Sequence, residues 1–356
     1  MLTIIGFILV IAVVVFIHEY GHYYVAKSFG VKIEEFSIGF GKEIYSRFDK
    51  NGVKWRIAAI PLGGFVKMYG DTDASSVEST KVKDLTKAFY TQPWYARFLI
   101  IAAGPVANYL LAILILAIFY FSFGKVEIPA IVGEVMQESP AEHSGIKPGD
   151  RILKADNSNI TDFAKLHRII LINQGRPIKL LIDRNSEIIE LTVIPSEKIL
   201  DKNEPLKKVG YIGIASKEQA KRVTVSVIGS LYLALVDTIE ISSLTLKAVG
   251  QMLNGSRAFS DIHGPITIAK ESGKTLSDGP LEFIFFIAMM SINLGLVNLL
   301  PIPILDGGHL AMIIYEVVAK KPLSKYIQAT LLKMGMLIIF FLIVISLSND
   351  IKSLIF

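Results

Sequence analysis

Residues 2–22 read LTIIGFILVIAVVVFIHEYGH, an almost unbroken apolar run that ends in the pattern H-E-x-x-H. On a helix His18 and His22 project from one face, so both imidazoles can bind one zinc ion. Glu19 follows the first histidine, where its carboxylate can accept a proton from a water molecule beside the metal. The pattern is short enough to arise by chance, but ionisable side chains inside an apolar run are costly and usually functional. The stretch therefore predicts a zinc site in a membrane helix.

The composition indicates a membrane protein with a soluble part. Of 356 residues, 52% are hydrophobic, and the mean hydropathy of +0.50 is too high for an ordinary soluble chain. The net charge of +5 does not suggest nucleic-acid binding, and the absence of cysteine excludes disulfides and thiolate metal sites. Residues 1–17 lack the basic start and the cleavage site of a signal peptide, so we interpret them as part of a retained helix.

Four transmembrane helices are predicted from the apolar runs, at residues 1–29, 96–124, 281–310 and 330–350. The loop 30–95 contains two strand-like segments with a turn signal between them and a Gly-Gly pair after them. Such backbone is tolerated at membrane depth where protein or a water-filled cavity surrounds it. On this stretch alone, a plain surface hairpin is the simpler interpretation.

Residues 126–198 are soluble in character. The loop SPAEHSGIKPGDRIL, residues 139–153, is followed by a helix-like stretch and two strand-like stretches. This order resembles a PDZ domain, which can bind the C-terminus of an extended peptide by adding it to a sheet edge. The loop motif occurs once, so we predict a single PDZ domain inserted between the second and third membrane helices.

The connector 199–280 contains an ambiguous apolar segment, residues 223–253. Asp237, Glu240 and Lys247 interrupt this segment, and a charge at mid-bilayer costs about 2.5–3.5 kcal/mol on insertion scales. A crossing here would also place the end of the third membrane helix at the face opposite the histidine pair. We therefore predict an amphipathic helix on the outer membrane surface and a total of four spans.

The third apolar helix ends in NLLPIPILDGGH, residues 298–309, whose two prolines cannot continue a regular helix. Asp306 is the best third zinc ligand because it is acidic and lies at the same membrane face as the histidine pair, and His309 is the rival. Asn298 has a side-chain amide that could hold substrate backbone or a developing oxyanion, with helix–helix hydrogen bonding as the alternative. Asn108 in the second helix is predicted to be an interhelical hydrogen-bond partner.

Basic residues set the predicted orientation. The loop 31–97 is rich in Lys and Arg, and Lys320, Lys321 and Lys325 follow the third helix. Positive residues favour the cytoplasm. The predicted metal site then lies toward the cytoplasmic side, with the PDZ-like domain and both termini outside.

Together these motifs resemble the site-2 proteases, a family of intramembrane zinc metalloproteases. The histidine motif, the segments 37–41 and 61–64, the stretch 104–108, the PDZ-like loop and residues 298–307 occur in the family's order along nearly the whole chain. Within the family, the chain is most similar to the bacterial regulator-of-sigma-E type. It departs from better-known members in showing one PDZ domain where they have two in tandem.

The resemblance implies a polytopic α-helical membrane protein with four transmembrane helices, a re-entrant β-hairpin and one inserted extracytoplasmic PDZ domain of the α+β type. It implies a protease of the bacterial inner membrane that cleaves single-span membrane proteins in regulated intramembrane proteolysis. Expected substrates are anti-sigma factors already trimmed outside, and remnant signal peptides. Membrane lipid is an expected partner, and nucleic acid is not.

The resemblance also implies roles for individual residues. The cofactor is Zn2+, with His18, His22 and Asp306 as ligands and Glu19 as the catalytic base. The region 33–68 matches the re-entrant hairpin that clamps an unwound substrate. The residues expected to bind substrate are Asn298, Gly39, Gly41, Gly63 and Gly64.

Two other functions fit parts of the pattern. A non-catalytic membrane adaptor would combine a structural metal with a peptide-binding PDZ domain, but a structural site is closed and needs no base such as Glu19 beside it. A metal transporter would need more intramembrane carboxylates or histidines than this sequence contains.

Overall fold

The computed structural model describes residues 2–70, 84–199, 208–216, 221–255, 259, 262 and 264–355. The α-helices in these ranges are α1 (Leu2–Ser28), α2 (Trp94–Phe123), α3 (Pro140–His143), α4 (Phe163–Ile172), α5 (Val227–Leu253), α6 (Pro265–Asp278), α7 (Pro280–Leu299), α8 (Asp306–Ala319) and α9 (Lys325–Ile355). The strands are β1 (Ile33–Phe48), β2 (Lys54–Met68), β3 (Lys125–Glu127), β4 (Val132–Val135), β5 (Arg151–Ala155), β6 (Ser158–Asn159), β7 (Ile178–Arg184), β8 (Glu187–Val193), β9 (Ser196–Ile199), β10 (Lys208–Tyr211), β11 (Ile214–Ser216) and β12 (Lys221–Val223).

Five of the described helices are long and apolar enough to cross a bilayer, namely α1, α2, α5, α7 and α9. Large apolar side chains of α9 are exposed, with Phe340 at 67% and Phe341 at 62%. A helix that is apolar on all sides and still exposed is typical of one that faces lipid. Four of the five helices correspond to the predicted spans, and α5 is the additional candidate.

The chain forms two compact units. The first comprises Met1–Leu116, Ala234–Ser242 and His263–Leu347, and the second comprises Ala117–Leu233, Ser243–Ile262 and Ser348–Phe356. The histidine motif belongs to the first unit, and residues 126–198 belong to the second.

In the first unit, α2 packs antiparallel to α1 along the histidine motif. Ile100 contacts His22, and Asn108, two turns further along α2, contacts His18. The helices approach closely at Gly21, where a β-carbon would collide with the backbone of α2. This close contact follows from the small side chains on both helices.

The helix α7 runs in the same direction as α1. Phe283 near its start lies in one apolar cluster with Val10, and Asn298 near its end reaches His18. The helices α1 and α7 are therefore parallel to each other, and α2 runs in the opposite direction.

Between α7 and α8 the backbone is irregular from residue 300 to residue 305, as the two prolines predict. Gly307 and Gly308 then lie so close to the carbonyl groups of Leu299 and Ile302 that a β-carbon at either position would collide with them. Glycine therefore permits the tight reversal that folds the start of α8 onto the end of α7. Asp306 is the first residue of α8.

The strands β1 and β2 form the predicted hairpin, with an antiparallel pairing that contains several irregularities. Residues 35–38 of β1 are registered both with residues 64–67 and with residues 54–57 of β2. The long strands must bend to allow this double pairing. Gly39 and Gly41 supply bends in β1, with φ angles of +88° and +83° that favour glycine.

The second unit contains a four-stranded sheet in the order β6-β5-β7-β8, and α4 packs in its apolar core. Ile152, Leu166 and Leu180 are core residues that are at most 1% exposed. The domain extends beyond the predicted boundary at residue 198, because β11 pairs with β4 and Ile212 is buried in the same core. A three-residue strand is too short to show an alternating pattern, so the sequence did not indicate it.

The helix α5 occupies most of residues 223–253, for which the sequence predicts an amphipathic helix on the outer membrane surface. Its middle, Ala234–Ser242, belongs to the first unit, where Ser242 Oγ lies 3.2 Å from Tyr109 Oη on α2. Thr238 and Ser242 donate to carbonyl oxygens one turn earlier, at 2.7 and 2.8 Å, so their hydroxyl groups are satisfied inside the helix.

Candidate metal centre

The helix α1 presents both histidines of the motif to one buried point. His18 and His22 are 7% and 8% exposed, and their Nε2 atoms lie 3.3 Å apart. The spacing of four residues produces this arrangement on a helix. His22 Nδ1 donates to the carbonyl oxygen of Ile100 at 2.8 Å. A ring whose Nδ1 holds the proton in this way offers an unprotonated Nε2 to a metal ion.

Asp306 joins the histidine pair from the start of α8. Its Oδ2 lies 3.2 Å from His18 Nε2 and 3.5 Å from His22 Nε2. Within the described ranges, these three side chains form the only group of three or more His, Asp or Glu residues close enough to share a metal ion. His309, the rival third ligand, is not a member of this group.

The three side chains fit a tetrahedral zinc ion. Two ligand atoms bound to zinc at about 2.0–2.1 Å in a tetrahedron lie about 3.3–3.4 Å from each other. The three observed separations are 3.2, 3.3 and 3.5 Å. Asp306 Oδ2 is buried without a hydrogen-bond partner, which a bound cation would compensate. Two imidazoles and one carboxylate are also a donor set of catalytic zinc sites, in which a fourth position stays open.

Glu19 lies on α1 directly after the first ligand and is 8% exposed. It is not a member of the three-residue ligand group. The hairpin packs on it, because a β-carbon at Gly64 would lie 3.0 Å from Glu19 Cγ. The carboxylate is thus buried beside the proposed ligands and is available for proton transfer.

Two asparagines contact His18 from different helices. Asn298 Nδ2 lies 3.3 Å from His18 Nε2, the atom that faces Asp306, so its amide borders the metal position. Asn108 is fully buried, with Nδ2 3.4 Å from His18 Nδ1, and its backbone carbonyl accepts a hydrogen bond from Ser291 at 2.9 Å. Asn108 is therefore the interhelical partner that the sequence predicted, whereas its neighbour Ser291 was not singled out.

Only one of the four glycines expected to bind substrate touches a proposed catalytic residue. Gly64 packs against Glu19, whereas Gly63 lies against the Phe40 ring and Gly39 and Gly41 lie against Ile60. The φ angle of Gly63 is +131°, and those of Gly39 and Gly41 are also positive. The structure thus gives these three glycines a role in bending the hairpin, and substrate contact stays a prediction for all four.

Gly104 on α2 is a site residue that the sequence analysis noted only within a small-residue stretch. A β-carbon there would overlap the His22 imidazole, lying 2.6 Å from Cε1 and 2.8 Å from Cδ2. The ring can occupy its position only because residue 104 has no side chain. The spacing between Gly104 and Asn108 is the signal that could have revealed this contact, since residues four apart share a helix face.

The chain is similar to known proteins over nearly its whole length. A family model described as "Peptidase family M50" matches residues 6–342. A protein of Rickettsia conorii, named "Putative zinc metalloprotease RC0203", is 48% identical over 357 residues, which are 99% of either chain. "Metalloprotease MmpA" of Caulobacter vibrioides is 34% identical over 383 residues, which cover 99% of this chain and 96% of that protein. The range matched by the family model includes the whole three-residue ligand group.

Proposed function

Because the chain belongs to peptidase family M50, the site-2 proteases, we propose that this zinc metalloprotease cleaves the transmembrane segments of single-span membrane proteins. The observation that supports this most is the ligand group of His18, His22 and Asp306. His18 lies about 24 Å along an apolar helix, at 1.5 Å per residue, and the hydrocarbon core is about 30 Å thick. A hydrolytic site at that depth reaches peptide bonds within a membrane segment.

The chemistry is proposed to depend on the side chains of Glu19 and Asn298, while Ile100 and Gly104 position the His22 ring. Zinc, when bound, supplies Lewis-acid chemistry that polarises a carbonyl group. Glu19 takes a proton from the attacking water and delivers it to the leaving amine, so it acts first as a base and then as an acid. The amide of Asn298 borders His18 Nε2 and donates to the substrate oxygen on which negative charge develops. The Ile100 carbonyl holds the His22 ring in place, and Gly104 leaves the space that this ring needs.

The hairpin is proposed to hold the substrate in extended form. A helical substrate keeps its carbonyl groups in internal hydrogen bonds, so the segment must unwind before it is cut. Extended peptides can pair with strands through their backbones. The strand β2 is suited to this role because Gly64 packs directly on Glu19.

Four crossing helices are proposed, with α5 lying beside α2 without crossing. Since α1 and α7 run in the same direction and α2 runs in the opposite one, the chain leaves α2 and enters α7 at the same membrane face. If α5 crossed the membrane, α6 would have to cross back so that the chain could enter α7 at this face. Its 14 residues extend about 21 Å, which is less than the core thickness of about 30 Å.

We place the protein in the bacterial inner membrane with the ligand group toward the cytoplasm. The support is the basic residues Lys320, Lys321 and Lys325 after α8, because positive loops favour the cytoplasmic side. Residues 126–198, as a PDZ domain, would then lie outside and receive peptide C-termini there. Anti-sigma factors already trimmed outside, and remnant signal peptides, are the proposed substrates in regulated intramembrane proteolysis, as the resemblance of the sequence motifs to site-2 proteases implies.

The test is cleavage of a model single-span protein by the purified full chain in lipid vesicles, with zinc content measured on the same samples. Wild type should cut within the membrane segment. Glu19→Gln should keep its zinc and lose cleavage, because the amide cannot accept the proton. The exposed Glu187 on β8 provides the matched control, and Glu187→Gln should keep both properties.

Two outcomes would overturn parts of this proposal. A zinc-loaded wild type that cuts no membrane segment would favour the non-catalytic adaptor. Loss of zinc from a folded Glu19→Gln protein would show that Glu19 holds the metal and is not the base.

A further inference from the structure

Asn108 combines complete burial with an unpaired polar atom. Its side chain lies inside the first unit, and its Oδ1 has no hydrogen-bond partner. Its Nδ2 faces His18 Nδ1 at 3.4 Å. Buried polar groups are rarely left unpaired, so this oxygen is expected to accept a hydrogen bond from a nearby donor.

His18 needs a hydrogen-bond acceptor at its Nδ1 atom. Its Nε2 lies 3.2 Å from Asp306 Oδ2 and 3.3 Å from His22 Nε2, so this atom faces the metal position. A neutral imidazole carries one proton, and an Nε2 that binds metal leaves that proton on Nδ1. His22 already satisfies the same condition, because its Nδ1 donates to the Ile100 carbonyl. His18 Nδ1 needs an acceptor too, and the Asn108 amide is the group within reach.

The oxygen and nitrogen of a side-chain amide have nearly the same shape, and a half-turn of the amide exchanges them. We propose that Asn108 Oδ1 accepts a hydrogen bond from His18 Nδ1–H and thereby holds His18 in the tautomer whose Nε2 binds zinc. One rotation gives the orphaned oxygen a donor and gives His18 an acceptor. This inference rests on the proposed metal site of His18, His22 and Asp306.

The surroundings hold Asn108 at the required place. Its backbone carbonyl accepts from Ser291 on α7 at 2.9 Å, while its side chain meets α1. Gly104, one turn earlier, lets α2 approach the motif. Asn108 is therefore a positioning residue that acts through His18 and does not itself touch the metal position. Such outer partners of histidine ligands fix both the tautomer and the ring orientation.

The test uses zinc affinity, measured by competition with a chelator on the purified full chain. Asn108→Leu has a similar size without an acceptor, and Asn108→Ala is a second variant that lacks one. Both should weaken zinc binding about 10–100-fold. Asn108→Asp has only acceptor oxygens and should retain near wild-type affinity. Tyr109→Phe is the matched control, because it removes an α2 hydrogen bond to Ser242 without touching His18.

The aspartate variant separates this role from simple packing. If the amide instead donates to His18 Nδ1, Asn108→Asp should lose zinc at least as strongly as Asn108→Leu, and the proposal is overturned. It is also overturned if the leucine and alanine variants bind zinc as tightly as wild type. A Tyr109→Phe protein and a wild type that both bind no zinc would reject the metal site itself. The absorption spectrum of bound Co(II) adds a second readout, which should match wild type in the aspartate variant and change in the leucine variant.

Discussion

The substitution Gly104→Ala tests whether the His22 ring lies where the structure places it. A methyl group at position 104 would lie 2.6 Å from His22 Cε1 and 2.8 Å from Cδ2. Ordinary carbon contacts are about 3.5–4.0 Å, so the ring would have to retreat by about 1 Å. Zinc sites tolerate deviations of only about 0.2 Å in ligand distances. We therefore expect zinc affinity to fall at least about 100-fold, the upper range for loss of an outer partner.

The fold should survive this substitution. Replacing glycine by alanine inside a helix favours the helix by about 0.8–1.0 kcal/mol, whereas overpacking costs about 1–3 kcal/mol. The net destabilisation is then about 0–2 kcal/mol, which a folded protein can absorb. The expected result is thus a folded protein that has lost its metal.

The assay compares chelator competition for zinc with thermal unfolding of the zinc-free protein. Gly250→Ala is the matched control, because Gly250 also lies inside a helix but has open space where the methyl group would go. This control should bind zinc like wild type. If Gly104→Ala also binds zinc like wild type, then His22 either lies elsewhere or is not a ligand, and the reasoning is refuted.

Three further predictions concern the third ligand, the hairpin and the second unit. Asp306→Ala should lower zinc content and His309→Ala should not, because only the aspartate belongs to the ligand group. Metal analysis of both purified variants tests this, and the reverse result would make His309 the ligand. Gly64→Ala should slow cleavage but keep zinc, because its methyl group would lie 2.6 Å from the Ser37 carbonyl oxygen and 3.0 Å from Cγ of the proposed base Glu19, so that the hairpin and the base must shift. Parallel loss of zinc would contradict this. Burial raises the pKa of Asp150, but hydrogen bonds from Arg184 and from the backbone N–H of Lys147, together with the positive charges of both residues, outweigh that effect and leave the pKa below its usual value. Its stabilising contribution is therefore present above about pH 4 and is lost as the pH falls further, so Asp150→Asn should flatten the acid dependence of thermal unfolding.

The features that depend on local sequence could be predicted. The spacing of His18 and His22 places them on one helix face whatever the rest of the chain does. Pro301 and Pro303 end α7 for a reason that is equally local. The approach of Asp306 to the histidines was inferred from helix direction, and the structure brings the three side chains together.

The features that depend on contacts between distant segments could not be predicted. The contact between Ser242 on α5 and Tyr109 on α2 joins residues 133 positions apart, which no local pattern indicates. The predicted domain boundary at residue 198 lies too early in the chain, because Ile212, between the short strands β10 and β11, is part of the same core. Neither case left a periodic pattern in the chain.

The residues that determine the metal geometry are therefore more numerous than the residues that carry the chemistry. Gly21 and Gly104 let α2 approach the histidine motif, and Gly307 and Gly308 fold Asp306 back toward it. A methyl group demands a displacement of about 1 Å, several times the tolerance of a zinc bond of about 0.2 Å. These glycines consequently bear on metal binding almost as directly as the ligands, although they have no side chain with which to bind. A search for function in this chain that considers only reactive side chains would miss the positions that bring the ligands within reach of one ion.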